Sequence, residues 1–119
     1  MEFEGRTEYS ERNDCVVRAF SVVSGKSYVE VHREFAAAGR RKRCRTKSSI
    51  SAKIAKEYGW TKVTCRMTLA KFLDDIQHAG SVVARVSGHM FAVVDGEVMD
   101  IEPVSPRRIV TYYYTKEAA

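Results

Sequence analysis

The sequence predicts an α+β fold: helices first and a small antiparallel sheet second, as a single domain over residues 1–119. Two observations carry this. Apolar residues recur mainly at helical spacing from Cys15 to Ile76, and from Ser81 onward the period shortens to the two-residue alternation of strands. A third is Asp95-Gly96 between two apolar runs, among the strongest short hairpin signals. With 119 residues, 45% of them hydrophobic and 29% charged, the chain is long enough for one core and not two.

In chain order, the first twelve residues are polar and predict a short strand or an ordered arm. Asn13 is a favourable N-cap and Gly25 a favourable residue just past a C-terminus, so the apolar run between them reads as one short helix. Ser27 and Glu30 form a capping box ahead of Tyr28, Val31, Phe35 and Ala38, which places a second helix over about residues 28–38. His32 and Arg33 fall off that apolar stripe and are expected in solvent. Ser48 or Ser49 caps a third helix through Ile50, Ile54, Ala55 and Tyr58, closed by Gly59. Residues 60–65 alternate as a short strand. Thr68 opens a fourth helix with Leu69, Phe72, Leu73 and Ile76 on one face, and His78 lies at its end, where a cation suits the helix dipole. Strands over residues 81–86, 88–94, 97–101 and 107–114 complete the chain. Trp60 and the tyrosines are expected in core or sheet.

Composition excludes several classes. No apolar run approaches ~18 residues, so no membrane span is expected. The start, Met1-Glu2-Phe3-Glu4-Gly5-Arg6, is too acidic for a signal peptide, which predicts a cytoplasmic protein with unpaired cysteines. Cys15, Cys44 and Cys65 contain no C-x-x-C unit, so neither a zinc site nor any cofactor is expected. The net charge is a modest +5, yet five of the six residues from Arg40 to Arg45 are cationic. The block Arg40, Arg41, Lys42, Arg43, Arg45 and Lys47 reads as a solvated loop, or as a contact for an acidic protein or nucleic acid. It holds no aromatic side chain for stacking on bases. Cys44 inside it has cationic neighbours but precedes no apolar helix, which makes it a secondary candidate for thiol chemistry.

Cys15 is the primary one. It falls in the first turn of its helix, where free N–H groups and the dipole favour a thiolate. The plainer reading is a small buried hydrophobe. Downstream, the two-residue Asp95-Gly96 turn pairs Val94 with Glu97, Phe91 with Asp100 and His89 with Glu102. Strand parity then sets His89, Phe91, Val93, Val98, Asp100 and Glu102 on one face, with Asp100 diagonal to His89. Glu102 is the rival carboxylate, since a one-residue slip redraws the face. Gly88 leaves room for a substrate or backbone to approach His89. A helix-start thiol, a strand-start histidine and a following acid are the parts of a nucleophile–base–orienter triad.

That order of parts resembles the papain-like cysteine peptidase superfamily. Asn13-Asp14-Cys15 with the following Val16-Val17-Arg18-Ala19-Phe20-Ser21 looks like the cysteine box of ovarian-tumour-type deubiquitinases and the Asp-Cys box of bacteriocin-leader-processing peptidases. Gly88-His89-Met90-Phe91-Ala92-Val93-Val94 and Asp100 resemble the Gly-His strand and acid of the second group. The motifs cover about a quarter of the chain, and the helix and strand order fits nearly all of it, as a pared-down member. The resemblance implies a thiol hydrolase of peptide or isopeptide bonds, or an acyl-transfer relative, with Cys15 as nucleophile, His89 as base and acid, and Asp100 orienting His89. Papain and the leader-processing peptidases carry Gln six residues before the cysteine as an oxyanion donor. Here that position is Tyr9, so Asn13 or Tyr9 would assist the Cys15 N–H. The alternative is a non-catalytic binding or inhibitor protein on the same scaffold, contacting its partner through residues 40–47.

Overall fold

The computed structural model describes residues 1–76 and 80–116. Helices α1 (Cys15–Ser24), α2 (Tyr28–Ala37) and α3 (Ser48–Glu57) lead into β1 (Thr61–Thr68) and α4 (Leu69–Ile76). Strands β2 (Ser81–Val86), β3 (His89–Val94), β4 (Glu97–Met99) and β5 (Ile109–Thr115) follow. All pairings are antiparallel, in the order β1-β5-β2-β3-β4. This is the α+β domain that the change of period predicts. The expected fourth-helix histidine, His78, lies outside the described residues.

Alternation along the central strands builds a core on each face of the sheet. Val83, Met90, Ala92 and Tyr114 pack under α1, α2 and α3. Val82, Ala84, Val86, Phe91 and Val93 pack against Leu69, Phe72 and Ile76 of α4. Covered on both faces, β2 and β3 are near-continuous apolar runs. The Phe20 ring meets Phe35, Tyr58, Trp60 and Tyr114; Tyr114 is a core residue, and half-buried Tyr58 and Trp60 pack against the core.

Helix α1 owes its existence to this packing. Four of its ten residues are valine, which pays in side-chain freedom for a helical backbone. Burying Val16, Val17, Ala19, Phe20 and Val23 outweighs that cost, at about 1.5–3 kcal/mol for each large side chain. Gly25, at φ 77°, ends the helix in the left-handed region. The Asp95-Gly96 hairpin also forms as predicted, with both φ angles positive (50° and 81°) as a type I′ turn requires.

Several local expectations are corrected. Asp14, not Asn13, precedes α1 and makes no side-chain cap, while Asn13 adopts φ 55°. Lys47, not Ser48 or Ser49, stands at the N-cap of α3. Strand β1 runs on to Thr68, and β4 stops at Met99, so Asp100 lies past the strand. The first residues form turns, an ordered arm rather than a strand. His32 is buried, because its ring stacks on Tyr9 with centroids 4.1 Å apart and its Nε2 lies 2.5 Å from Glu11.

Candidate active site

The start of α1 is fixed by a carboxylate with no solvent exposure. Asp14 accepts Arg6 Nε at 2.7 Å and Nη2 at 3.0 Å, and the Tyr28 hydroxyl at 2.7 Å. Arg18 Nε, one turn along α1, is 3.3 Å away. Burial opposes the charge on Asp14, but these donors and cations outweigh it and hold its pKa below the ordinary value. Cys15, the next residue, is thereby held at the first position of α1, and its backbone N–H has no carbonyl within the helix to bond.

His89, the first residue of β3, comes to Cys15 from the sheet. Its Nε2 lies 2.7 Å from Asp100 Oδ2, which leaves Nδ1 for the Cys15 thiol within hydrogen-bonding reach. The other carboxylate oxygen of Asp100 receives Arg18 Nη1. Strand parity alone does not produce this meeting. Phe91, Val93 and Val98 face α4, whereas Asp100, past the end of β4, reaches Arg18 on α1. Glu102, the rival carboxylate, is exposed and lines the cavity without bonding His89.

The electrostatics follow from these contacts. Burial disfavours the Cys15 thiolate, but hydrogen bonds from His89 and the Met90 N–H, with the charges of His89 and Arg18, bring its pKa below the ordinary thiol value. Asp100 foremost, and then Cys15, raise His89 to about 9. Both shifts favour a thiolate–imidazolium pair. Cys65 behaves oppositely: burial alone raises its pKa, and its Sγ only donates to the Val110 carbonyl at 3.6 Å. All three cysteines are free, and exposed Cys44 does not line the cavity.

That cavity, about 460 Å³, opens over Cys15 and His89. Asn13 lines it, with Nδ2 donating to the Arg43 carbonyl at 3.1 Å and so spending one of its two amide hydrogens. Tyr9 does not line it: its ring stacks on His32, with the Tyr28 ring 6.5 Å and Lys42 Nζ 5.3 Å away. Of the two expected oxyanion donors, the fold brings only Asn13 to the thiol. Beside Gly88, where a substrate or backbone is expected to approach, stands a side chain: Arg45 Nη1 donates to the Gly88 carbonyl at 3.0 Å. Among the described residues, no cluster of His, Cys, Asp and Glu is placed to hold a metal ion.

The basic block divides three ways. Arg40 is buried and paired with Glu11 at 2.8 and 3.2 Å, which removes it from any binding surface. Arg45 lines the cavity. Arg41, Lys42, Arg43 and Lys47 stay exposed. Arg6, Asp14, Arg18 and Glu11 escape the sequence reading as supports of the site. The only available signal for Arg18 is a cation inside an apolar helix, four residues after an acid. Scanned against protein-family models, curated proteins and solved structures, the chain matches none.

Proposed function

We propose that the protein is a thiol hydrolase of peptide or isopeptide bonds, a minimal relative of the papain-like cysteine peptidases. The observation that carries this reading is the Cys15–His89–Asp100 constellation at the mouth of a cavity, with Asp100 on Nε2 and the thiol on the other side of the ring. The Cys15 thiolate attacks the substrate carbonyl carbon. Charge on the carbonyl oxygen is met by the Cys15 N–H and the remaining Asn13 amide hydrogen. As the C–N bond breaks, protonated His89 gives its proton to the leaving amine, and a thioester remains on Cys15. Water then attacks the thioester, His89 takes one of its protons, and the C–S bond breaks to give a carboxylic acid, which ionises in solvent, and the thiolate–imidazolium pair. Asp100 keeps the ring aligned and favours its charged form, without taking the proton.

The test is a peptide-library digestion read by mass spectrometry for new termini, with Cys15→Ala and His89→Ala alongside the wild type. Cleavage by the wild type alone is the expected outcome. No cleavage, together with a Cys15 alkylation profile like that of an ordinary thiol, overturns the reading. A second reading, a binding protein for an acidic partner, is supported by the exposed Arg41, Lys42, Arg43 and Lys47. It requires salt-dependent binding that survives Cys15→Ala and is lost when these four are changed to Gln.

A further inference from the structure

Three arginines from separate parts of the chain converge on the turn that precedes His89. Arg85 Nε donates to the Val86 carbonyl at 2.8 Å, Arg108 Nη2 to the Ser87 carbonyl, and Arg45 Nη1 to the Gly88 carbonyl at 3.0 Å. The acceptors are three consecutive residues, and all three arginines line the cavity that holds Cys15 and His89. Among the described residues none of the three is ion-paired, in contrast to Arg18 and Arg40, whose charges are met by carboxylates. Each spends one N–H on its anchor and keeps the others.

Like charges gathered without a counter-ion repel one another, and anchoring them to carbonyls holds the guanidinium groups in place without neutralising them. Such a rim is preorganised for a carboxylate, which a guanidinium grips with paired, charge-assisted hydrogen bonds. Asp100 cannot serve, because its oxygens are committed to His89 and Arg18. Among the described residues, Glu102 is the one acidic side chain that lines the cavity, and it is exposed.

We propose that Arg45, Arg85 and Arg108 form a subsite that selects acidic peptide substrates, holding a Glu or Asp side chain beside the bond presented to Cys15. This deepens the thiol-hydrolase reading and rests on it. The rim sets which chain enters, and Glu102 limits how strongly anions are drawn in.

The test compares the rates at which Cys15 is alkylated by iodoacetate and by iodoacetamide, read by mass spectrometry, in the wild type and in Arg45→Gln/Arg85→Gln/Arg108→Gln. The pH profile with neutral iodoacetamide reports the thiol couple, and the iodoacetate-to-iodoacetamide ratio within each variant reports the rim. The ratio is expected to fall about tenfold in the triple variant, to fall in the wild type with added salt, and to rise in Glu102→Gln. Arg45→Gln alone, a change at an exposed side chain, carries the test if the triple variant fails to fold, with a smaller fall. Matched peptidyl chloromethyl ketones with Glu or Lys next to the reacting carbonyl extend it: the Glu probe is expected to label Cys15 about tenfold faster. A ratio unchanged by the arginine substitutions, with a depressed thiol profile, overturns the subsite and leaves the hydrolase reading standing. A thiol with an ordinary profile overturns both. Protection of Cys15 by a DNA oligonucleotide and not by polyglutamate also overturns the acidic-peptide assignment.

Discussion

Arg18 on α1 and Asp100 just past β4 form a buried ion pair across 82 residues of chain, with side chains 6% and 3% exposed. Because Asp100 gives its other oxygen to His89, the pair ties the helix that carries Cys15 to the sheet that carries His89. Arg18 also approaches Asp14, directly before Cys15. One guanidinium therefore positions both halves of the candidate triad.

Replacing Arg18 by Met leaves two buried carboxylates short of a cation, a loss of about 3–5 kcal/mol. Urea denaturation is expected to show this as a lower midpoint at unchanged slope. Arg18 also helps lower the Cys15 pKa, so the alkylation inflection of the folded variant moves to higher pH. A merely structural role would reduce stability without moving that inflection.

The pH dependence of the site has a defined sign. Cys15 lies below its ordinary pKa and His89 is raised to about 9. Alkylation by iodoacetamide should therefore reach half its maximum below the reference thiol pKa of about 8.5, and should shift upward in His89→Ala. In the proposed hydrolysis, acyl transfer also needs the imidazolium, so its rate is expected to fall as pH rises through about 9. Linkage agrees. The raised His89 stabilises the fold fully below its unfolded pKa of about 6.5, and that contribution is lost as pH passes about 9. The check is paired pH profiles of alkylation, turnover and denaturation midpoint.

The parts of the site legible in the sequence are those with local causes. Cys15 at a helix start follows from the Gly25 stop and the apolar run, and His89 at a strand start follows from the Asp95-Gly96 hairpin. Nonlocal pairings were not legible. The β1–β5 pairing joins Thr61 to Thr115, and no nearby pattern announces it. Parity put Asp100 on the His89 face through a strand that stops one residue earlier, so the right partner came by a different route. His32 reads as solvated because a polar side chain off an apolar stripe usually is. A carboxylate from the N-terminal arm, Glu11, makes its burial affordable.

Glu11 yields a prediction about acid stability. Its side chain has no exposure, and it holds His32, Nη1 and Nη2 of Arg40, and the Arg43 N–H at 2.7 Å. Burial alone would raise its pKa, but Arg40, His32 and Arg43 together lower it to about 2. A carboxyl group with a depressed folded pKa stabilises above its unfolded value and loses that contribution as pH falls toward the folded one. Stability from Glu11 is thus expected to decline between its ordinary pKa of 4.5 and about 2. Glu11→Gln should cost about 3–5 kcal/mol at neutral pH, by stranding buried Arg40, and should flatten this part of the acid profile. Denaturant midpoints of both proteins from neutral pH to pH 2 provide the measurement.

Tyr28 isolates the contribution of the carboxylate ahead of the thiol. Its hydroxyl donates to Asp14 at 2.7 Å, and the residue is 4% exposed. Tyr28→Phe keeps the ring against Phe3 and Tyr9 and deletes only that donor. A hydrogen bond to a buried charge is worth about 1.5–3 kcal/mol, so the denaturation midpoint should fall accordingly. Asp14 then has one fewer group holding its pKa down, and its stabilising charge is lost at higher pH during acidification, so the acid midpoint moves up. Arg6 and Arg18 still hold Asp14, so α1 should start at the same residue. The Cys15 alkylation inflection in Tyr28→Phe is therefore expected to stay close to that of the wild type, while the same measurement in Arg18→Met shifts. A large shift in Tyr28→Phe would instead mean that this hydroxyl, rather than the arginines, sets the geometry of the helix start.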